Sequence, residues 1–283
     1  MVTFTSSRPL APATRRTLAE LVAATDALGI SPCLIGAQAR IIWLEHINSL
    51  PSARATEDTD FVIQIDTWDA FRQLGDALVR DHGWRRDARQ TQRFYSSLDQ
   101  MVDIVPCGGV AVDDAIHWPP DQSHRMDVRG LDIALREAVE IEVSQDLTIR
   151  VAPLPVLALL KLVSWRDRSV GREKDAEDLV SILKVYVETD EASALLEQAL
   201  HLSLYELEDS DEARGARLLG RQVGAVAAGS TLGLVQEILA MELDPDGQLQ
   251  LVLFGARALR GDNADDRALA LLDAFRRGVD EGC

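Results

Sequence analysis

Residues 32–65 read "PCLIGAQARIIWLEHINSLPSARATEDTDFVIQI", and this stretch decides the fold. "PCLIGA" is a short apolar run ending in a glycine, the pattern of a buried strand that enters a tight turn. "QARIIWLEHINSL" has helical length and is closed by Pro51. "TDFVIQI" is rich in β-branched and aromatic residues and reads as a second strand. Asp58 and Asp60 stand two apart at its start, so an extended backbone sends both carboxylates to one face.

The pattern continues on both sides. Leu18, Leu21, Val22 and Leu28 have helical spacing over Thr14–Leu28, and Gly29 is placed to end that helix. "TWDAFRQLGDALVRDHG" predicts a helix capped by Thr67 and ended by Gly83. Helix, strand, helix, strand, helix argues α/β rather than all-α. "QRFYSS" and "QMVDIVP" predict a hairpin turning near Leu98 and Asp99, and "AVEIEV" and "LTIRVA" a second one joined at "SQD". Between them, Val110 to Arg129 is rich in Asp, Pro and His and reads as irregular. From Pro153 onward "LPVLALLKLVSWRDR" and "KDAEDLVSILKVYV" are helix-periodic and no strand is predicted. The expected architecture is α/β (α+β): a mixed-sheet domain over residues 1–152 and a helical domain over 153–283.

The chain has 283 residues with 29 Lys+Arg against 46 Asp+Glu, a net charge of −17. Such a field repels nucleic acid and anionic membranes at long range, so a polyanionic partner needs a local basic patch or metal ions. Cys33, Cys107 and Cys283 show neither CxxC nor Cys/His ligand spacing, which argues against a disulfide framework or a zinc site and fits a reducing cytoplasm. Arg15 and Arg16 precede a segment carrying Glu20 and Asp26 rather than an uninterrupted apolar run, so no twin-arginine signal is read. No run approaches the roughly 20 apolar residues of a membrane span. The five histidines lack HExxH spacing, and Walker A, GxGxxG and GxSxG patterns are absent. "DPDG" at 244–247 lacks the distal Glu of a calcium loop and reads as a turn.

Asp-x-Asp alone says little in so acidic a chain, where Glu140/Glu142, Glu206/Glu208 and Asp244/Asp246 repeat the spacing. Its context says more. Asp58 and Asp60 open an otherwise apolar strand, and Asp103 interrupts another between Val102 and Ile104. Acids so placed repel or lie buried at a cost unless a cation joins them. Two acids from one strand and one from a neighbour suffice to hold paired Mg²⁺ ions about 3.5–4 Å apart, the arrangement that serves in-line phosphoryl or nucleotidyl displacement.

The order strand, glycine, helix, Asp-x-Asp strand, Asp-bearing strand resembles the nucleotidyltransferase superfamily with a DNA polymerase β-like fold. More narrowly, "RATEDTDFVI", "MVDIVP" and "LPVLALLKLVSWRDRSVGREKDAEDLVSIL" are similar to the AbiEii/AbiGii-type nucleotidyltransferases, the toxins of type IV toxin–antitoxin systems. The resemblance covers Leu34 to Tyr186. It implies transfer of a nucleoside monophosphate from a nucleoside triphosphate to an acceptor hydroxyl, with Mg²⁺ or Mn²⁺ as cofactor. It further implies Asp58, Asp60 and Asp103 as metal ligands, with catalytic roles for these three, Lys161 and Asp175. Gly36, Ala37, Arg54, Thr56, Lys161, Arg168 and Lys174 would face the nucleotide, with Lys161 and Lys174 meeting the β- and γ-phosphates. An RNA or tRNA end, a small cationic molecule such as an aminoglycoside, and a protein hydroxyl are the acceptors left open, and an antitoxin protein is an implied partner.

The chain departs from the pattern in two places: Ala37 stands where a second glycine or hydroxyl residue is usual, and the spacer from Gly36 to Asp58 is long. These departures keep open a catalytically degenerate member that binds a nucleotide or a protein as a regulatory module. Each residue also has a plain alternative. Gly36 can be only a tight strand-to-helix turn, Arg54 and Thr56 a loop end, Asp175 and Asp178 dipole-stabilised acids at a helix start, and Trp165 a core aromatic.

Overall fold

The β-branched runs join one mixed sheet of eight strands. A computed structural model describes residues 3–52, 56, 58–168, 170–198 and 204–283, and the chain divides into two units: Met1–Ser49 with Arg54–Pro153, and Leu50–Ala53 with Leu154–Cys283. The first unit runs β1 (Thr3–Thr5), α1 (Pro12–Asp26), β2 (Cys33–Ile35), α2 (Gly36–Ile41), β3 (Asp58–Ile65), α3 (Trp68–His82), β4 (Arg85–Arg86), β5 (Arg93–Tyr95), β6 (Met101–Gly108), β7 (Ala115–His117), β8 (Arg125–Asp127), α4 (Leu131–Glu137), β9 (Val139–Ser144) and β10 (Leu147–Val151). The large sheet has the order β1-β9-β10-β2-β3-β6-β5-β4. The β3/β6 pair at its centre is parallel, while β2/β3 and β5/β6 are antiparallel.

Alternation along the strands sorts the residues into two faces. Phe61, Ile63 and Ile65 of β3, Val102 and Ile104 of β6 and Phe94 of β5 share one face and are all buried. Helix α3 covers it, with the Phe71 ring packed edge-on against Phe94 at 6.3 Å between centroids. Burying each such side chain is worth about 1.5–3 kcal/mol. The opposite face carries Asp58, Asp60, Asp103 and Arg93. Glu20 of α1 ties this unit together by accepting hydrogen bonds from the Trp84 indole (2.7 Å), the Ser97 hydroxyl (2.7 Å) and Arg16 (2.9 Å). Burial pushes its carboxyl up, but these donors prevail and hold it below its ordinary value.

Both predicted hairpins form, as β5/β6 and β9/β10. The caps of α3 also form as read: the Thr67 hydroxyl accepts from the Ala70 N–H, and Gly83 ends the helix at φ +69°. Three expectations need adjusting. The first helix is Pro12–Asp26 rather than 14–28, because Pro12 sits at its first turn, where its missing N–H costs nothing. The helix after Gly36 is α-helical only to Ile41 and continues as a wider π-helical turn over Ile42–Ile47, with Ile42, Trp43 and Leu44 buried and the Trp43 indole donating to the Ala152 carbonyl at 2.8 Å. Residues 110–129 are not wholly irregular, since β7 and β8 pair in an antiparallel ribbon. Strands of three residues are too short for alternation to show.

All described elements of the second unit are helical: α5 (Leu154–Asp167), α6 (Glu173–Val185), α7 (Asp190–Leu196), α8 (Leu204–Leu207), α9 (Asp211–Val226), α10 (Gly229–Glu242), α11 (Gln250–Gly255) and α12 (Ala264–Gly282), with short 3₁₀ turns at Tyr186–Glu188 and Ala256–Ala258. Helix α5 is apolar nearly all round and correspondingly buried. Trp165 is a core aromatic, 1% exposed, its indole donating to Glu242 at 2.9 Å. Helices α9 and α12 meet through glycines. A Cβ at Gly220 would lie 3.0 Å from the Gly278 Cα, and one at Gly278 would lie 2.9 Å from the Arg221 nitrogen. The three cysteines are free, with Cys33 and Cys107 buried, and burial pushes both of these thiols up to about 12. Among the described residues no helix is long and apolar enough to cross a membrane.

The glycine contact gives a paired expectation. Gly278→Ala should destabilise the protein by about 1–3 kcal/mol, because backbone must move aside. Gly233→Ala in α10, where a Cβ meets nothing within 4 Å, should stabilise it by up to about 1 kcal/mol through helix propensity. Urea unfolding checks both, and shifts of the same sign would contradict the close α9–α12 approach.

Candidate functional site

In the first unit, strand register builds a row of side chains across the sheet. Ile35 of β2 lies opposite Asp60 of β3, Asp60 beside Asp103 of β6, and Asp103 opposite Arg93 of β5. Neighbouring strands run about 4.8 Å apart, so Asp60 and Asp103 are adjacent like charges, and a cation must offset them. Arg93 supplies one. Its Nε donates to Asp103 Oδ1 at 2.8 Å and its Nη2 to Oδ2 at 2.7 Å, a bidentate fork with side chains 22% and 15% exposed. These hydrogen bonds hold the guanidinium above its ordinary pKa despite partial burial.

Gly36 leads from β2 into α2 with φ +69°, a left-handed backbone that suits glycine. It also lies against the Asp60 carboxylate, since a Cβ there would be 2.9 Å from the Asp60 Cγ and nearer still to Oδ2. The glycine is therefore required by Asp60 itself. Ala37, the next residue, is buried at 7% exposure. Asp58 is half-buried at the mouth of β3, and the Thr56 hydroxyl donates to its Oδ1 and, at 3.3 Å, to its carbonyl. Arg54 lies outside the described residues.

The donor chemistry of this row suits a hard divalent cation, which takes carboxylate oxygens. Asp58 and Asp60 lie on one face of one strand, both partly open to solvent. The three carboxylates are not gathered as one set: among the described residues no group of three His, Cys, Asp or Glu is placed to hold a metal, and Asp103 has both oxygens in the Arg93 fork.

The second unit holds the other predicted residues. Lys161 of α5 donates to Asp175 at 3.1 Å and lies 2.7 Å from Asp178, both on α6. Arg168, just past α5, adds a longer contact to Asp175 at 3.6 Å. The carboxylates are 2% and 5% exposed, Lys161 16% and Arg168 54%. Burial alone would lower the Lys161 ammonium, but the two aspartates outweigh it and raise its pKa. The folded pKa lies above the unfolded one, so the stabilisation is complete at neutral pH and is lost only as pH rises through the folded value. Lys161 thus forms a buried ion cluster with Asp175 and Asp178, while Lys174 is exposed on α6.

Two partners of the predicted residues are not singled out as site residues by the sequence: Arg93, and Asp178, which reads there only as a dipole-stabilised acid at a helix start. Residues of an antiparallel hairpin pair at a constant sum of their numbers, so a turn centred near Leu98 puts Arg93 opposite Asp103; the hairpin was read, but not its register. Asp178 follows Asp175 by three, the spacing that puts two acids on one helix face.

No protein-family profile matches the sequence, and no curated protein matches it. Among solved structures, the crystal structure of JHP933 from Helicobacter pylori is similar over 96% of this chain and 94% of that one, at 13% sequence identity and a TM-score of 0.35.

Two substitutions test the local geometry. Gly36→Ala should cost about 1–2 kcal/mol from the left-handed backbone alone, and more from its encounter with Asp60. Lys161→Met removes the buried cation shared by Asp175 and Asp178, leaving Asp175 the longer Arg168 contact, and should cost about 3–5 kcal/mol, most of it recovered by adding Asp175→Asn and Asp178→Asn. Urea midpoints report both, and a Lys161→Met protein as stable as the parent would show the cluster to be energetically idle.

Proposed function

We propose that the chain is a nucleotidyltransferase of the polymerase β-like class that uses a divalent cation to transfer a nucleoside monophosphate from a nucleoside triphosphate to an acceptor hydroxyl. The observation that carries this reading is the parallel register that sets Asp103 beside Asp60, with Asp58 on the same face and Gly36 against Asp60. Carboxylates of adjacent strands in this order are the donor set that such chemistry needs. When bound, Mg²⁺ or Mn²⁺ at Asp58 and Asp60 would supply the positive charge that offsets the triphosphate and the developing negative charge at the α-phosphorus.

The chain's own residues contribute orientation and charge. Thr56 holds one oxygen of Asp58 through its hydroxyl. Gly36 lets the backbone approach Asp60 and removes any side chain that would block a phosphate there. Asp103 is the carboxylate assigned to the acceptor hydroxyl's proton. Lys161, Arg168 and Lys174 are the basic residues that the resemblance assigns to the nucleotide, with Lys161 and Lys174 at the β- and γ-phosphates; Lys161 also holds the helix that carries Lys174, through Asp175 and Asp178. At a net charge of −17, a cationic small molecule or a protein hydroxyl is an acceptor more compatible with the mean field than an RNA end. An antitoxin partner and a cytoplasmic location belong to the same proposal.

A second reading has its own observation. Asp103 sits in the Arg93 fork and Lys161 is committed to two aspartates, as in a degenerate nucleotidyltransferase fold that binds a nucleotide or a protein as a regulatory module.

Thermal unfolding with each of the four nucleoside triphosphates, with and without Mg²⁺, separates the two. A ligand that binds only the native state at 100 times its Kd adds about 2.7 kcal/mol. A Mg²⁺-dependent shift that disappears in Asp58→Ala/Asp60→Ala is expected. No shift with any nucleotide, together with a variant as stable as the parent, would overturn the enzyme reading.

A further inference from the structure

The guanidinium of Arg93 occupies the place where the carboxylate row needs positive charge. We propose that Arg93 is the resident counter-cation of this row and keeps Asp103 out of the metal-binding set until a divalent ion displaces it, a regulatory contact that rests on the cation-dependent reading above.

Three observations converge on this role. First, the fork is complete. Nε and Nη2 engage one oxygen each at 2.8 and 2.7 Å, the in-plane bidentate geometry that makes Arg–carboxylate pairs the strongest of the charge-assisted hydrogen bonds. A carboxylate so held has one lone pair of each oxygen in the fork and its charge offset by the guanidinium, so it is a poorer ligand for an ion while the fork lasts.

Second, the register is fixed by the backbone. Arg93 and Asp103 are paired residues of an antiparallel hairpin, so the two side chains face each other whenever the sheet forms. Third, the displaced side chain has somewhere to go. Asp87, whose carboxylate accepts from the backbone N–H groups of Arg89 (2.8 Å) and Gln90 (3.0 Å) and from the Tyr95 hydroxyl (3.2 Å), also acts on Arg93 electrostatically. Under the proposal it is the acid toward which the released guanidinium would turn.

The exchange is a matter of charge. A guanidinium brings one positive charge to Asp103 and reaches no further, whereas a divalent ion brings two and can be shared with Asp58 and Asp60. In the absence of the ion, the fork suppresses the repulsion between Asp60 and Asp103 and stabilises the sheet. In its presence, the arginine is released beside the row. Cation affinity at this site is then set by a residue that does not itself ligate the cation.

Direct binding of Mn²⁺ to the full chain, followed by the loss of the free-ion electron paramagnetic resonance signal, tests the exchange without relying on activity. Arg93→Gln removes the competing charge and should tighten Mn²⁺ binding about tenfold or more, the scale of a lost charged hydrogen-bond pair. Arg93→Lys, which keeps the charge but not the fork, should fall between this variant and the parent, and it remains informative if the glutamine variant folds poorly. Arg93→Gln/Asp103→Asn should return to the parent's affinity, because the gain depends on a released Asp103. A merely structural arginine would leave Mn²⁺ affinity unchanged or weaken it. That result, obtained while Asp58→Asn/Asp60→Asn still weakens binding, would overturn the exchange and leave the cation site standing. Absence of Mn²⁺ binding in every variant would overturn both.

Discussion

Asp60 and Asp103 stand side by side on parallel strands, and their mutual repulsion is the constraint to which this part of the sheet answers. Apolar burial on the covered face fixes the strands, since Phe61, Ile63, Val102, Ile104 and Phe94 are all buried there, Phe94 against Phe71 of α3. The strands cannot slip to separate the acids, because a one-residue shift would turn that apolar set outward. The acids are therefore held together by hydrophobic packing on the far side of their own strands. Arg93 offsets the repulsion, Gly36 leaves room for Asp60, and Thr56 fixes Asp58.

The helical unit solves the same problem differently. Lys161 is inserted between two buried aspartates, and the balance of charge is reached inside the unit itself. An ion cluster of this kind contributes little net stability over an apolar replacement, yet is costly to break in part. It specifies how α5 meets α6 rather than how firmly. The sheet site is partly open and the helical cluster closed, which separates a row of acids suited to exchange its counter-ion from one built to keep it.

Much of the sheet was legible because period-two alternation and glycine punctuation are strong local signals. Thr67 and Gly83 marked α3, Gly36 marked the end of β2, and "MVDIVP" announced an acid in a buried strand. What escaped was decided between strands rather than along them. Nothing local to Arg93 distinguishes it from Arg85 or Arg89 until the hairpin is counted across its turn. Asp178 likewise looked like an ordinary helix-start acid until Lys161 was found against it. The ribbon of β7 and β8 was missed because three residues carry no period. The site is half legible: Asp60 and Asp103 of the row, and Asp58 beside it, come from the sequence, and the cation comes from the register.

The glycine contact between α9 and α12 bears on the order in which the helical unit forms. Gly220 and Gly224 present bare backbone on one helix, and Gly278 and Gly282 do so on the other. Neither face has side chains with which to cover itself. During synthesis α9 emerges well before α12, so its glycine face and the apolar residues flanking it stay wet until the later helix arrives. The helical unit thus closes its core late, around a seam made of backbone, and an emerging chain that pauses before α12 is exposed to wrong partners at that seam.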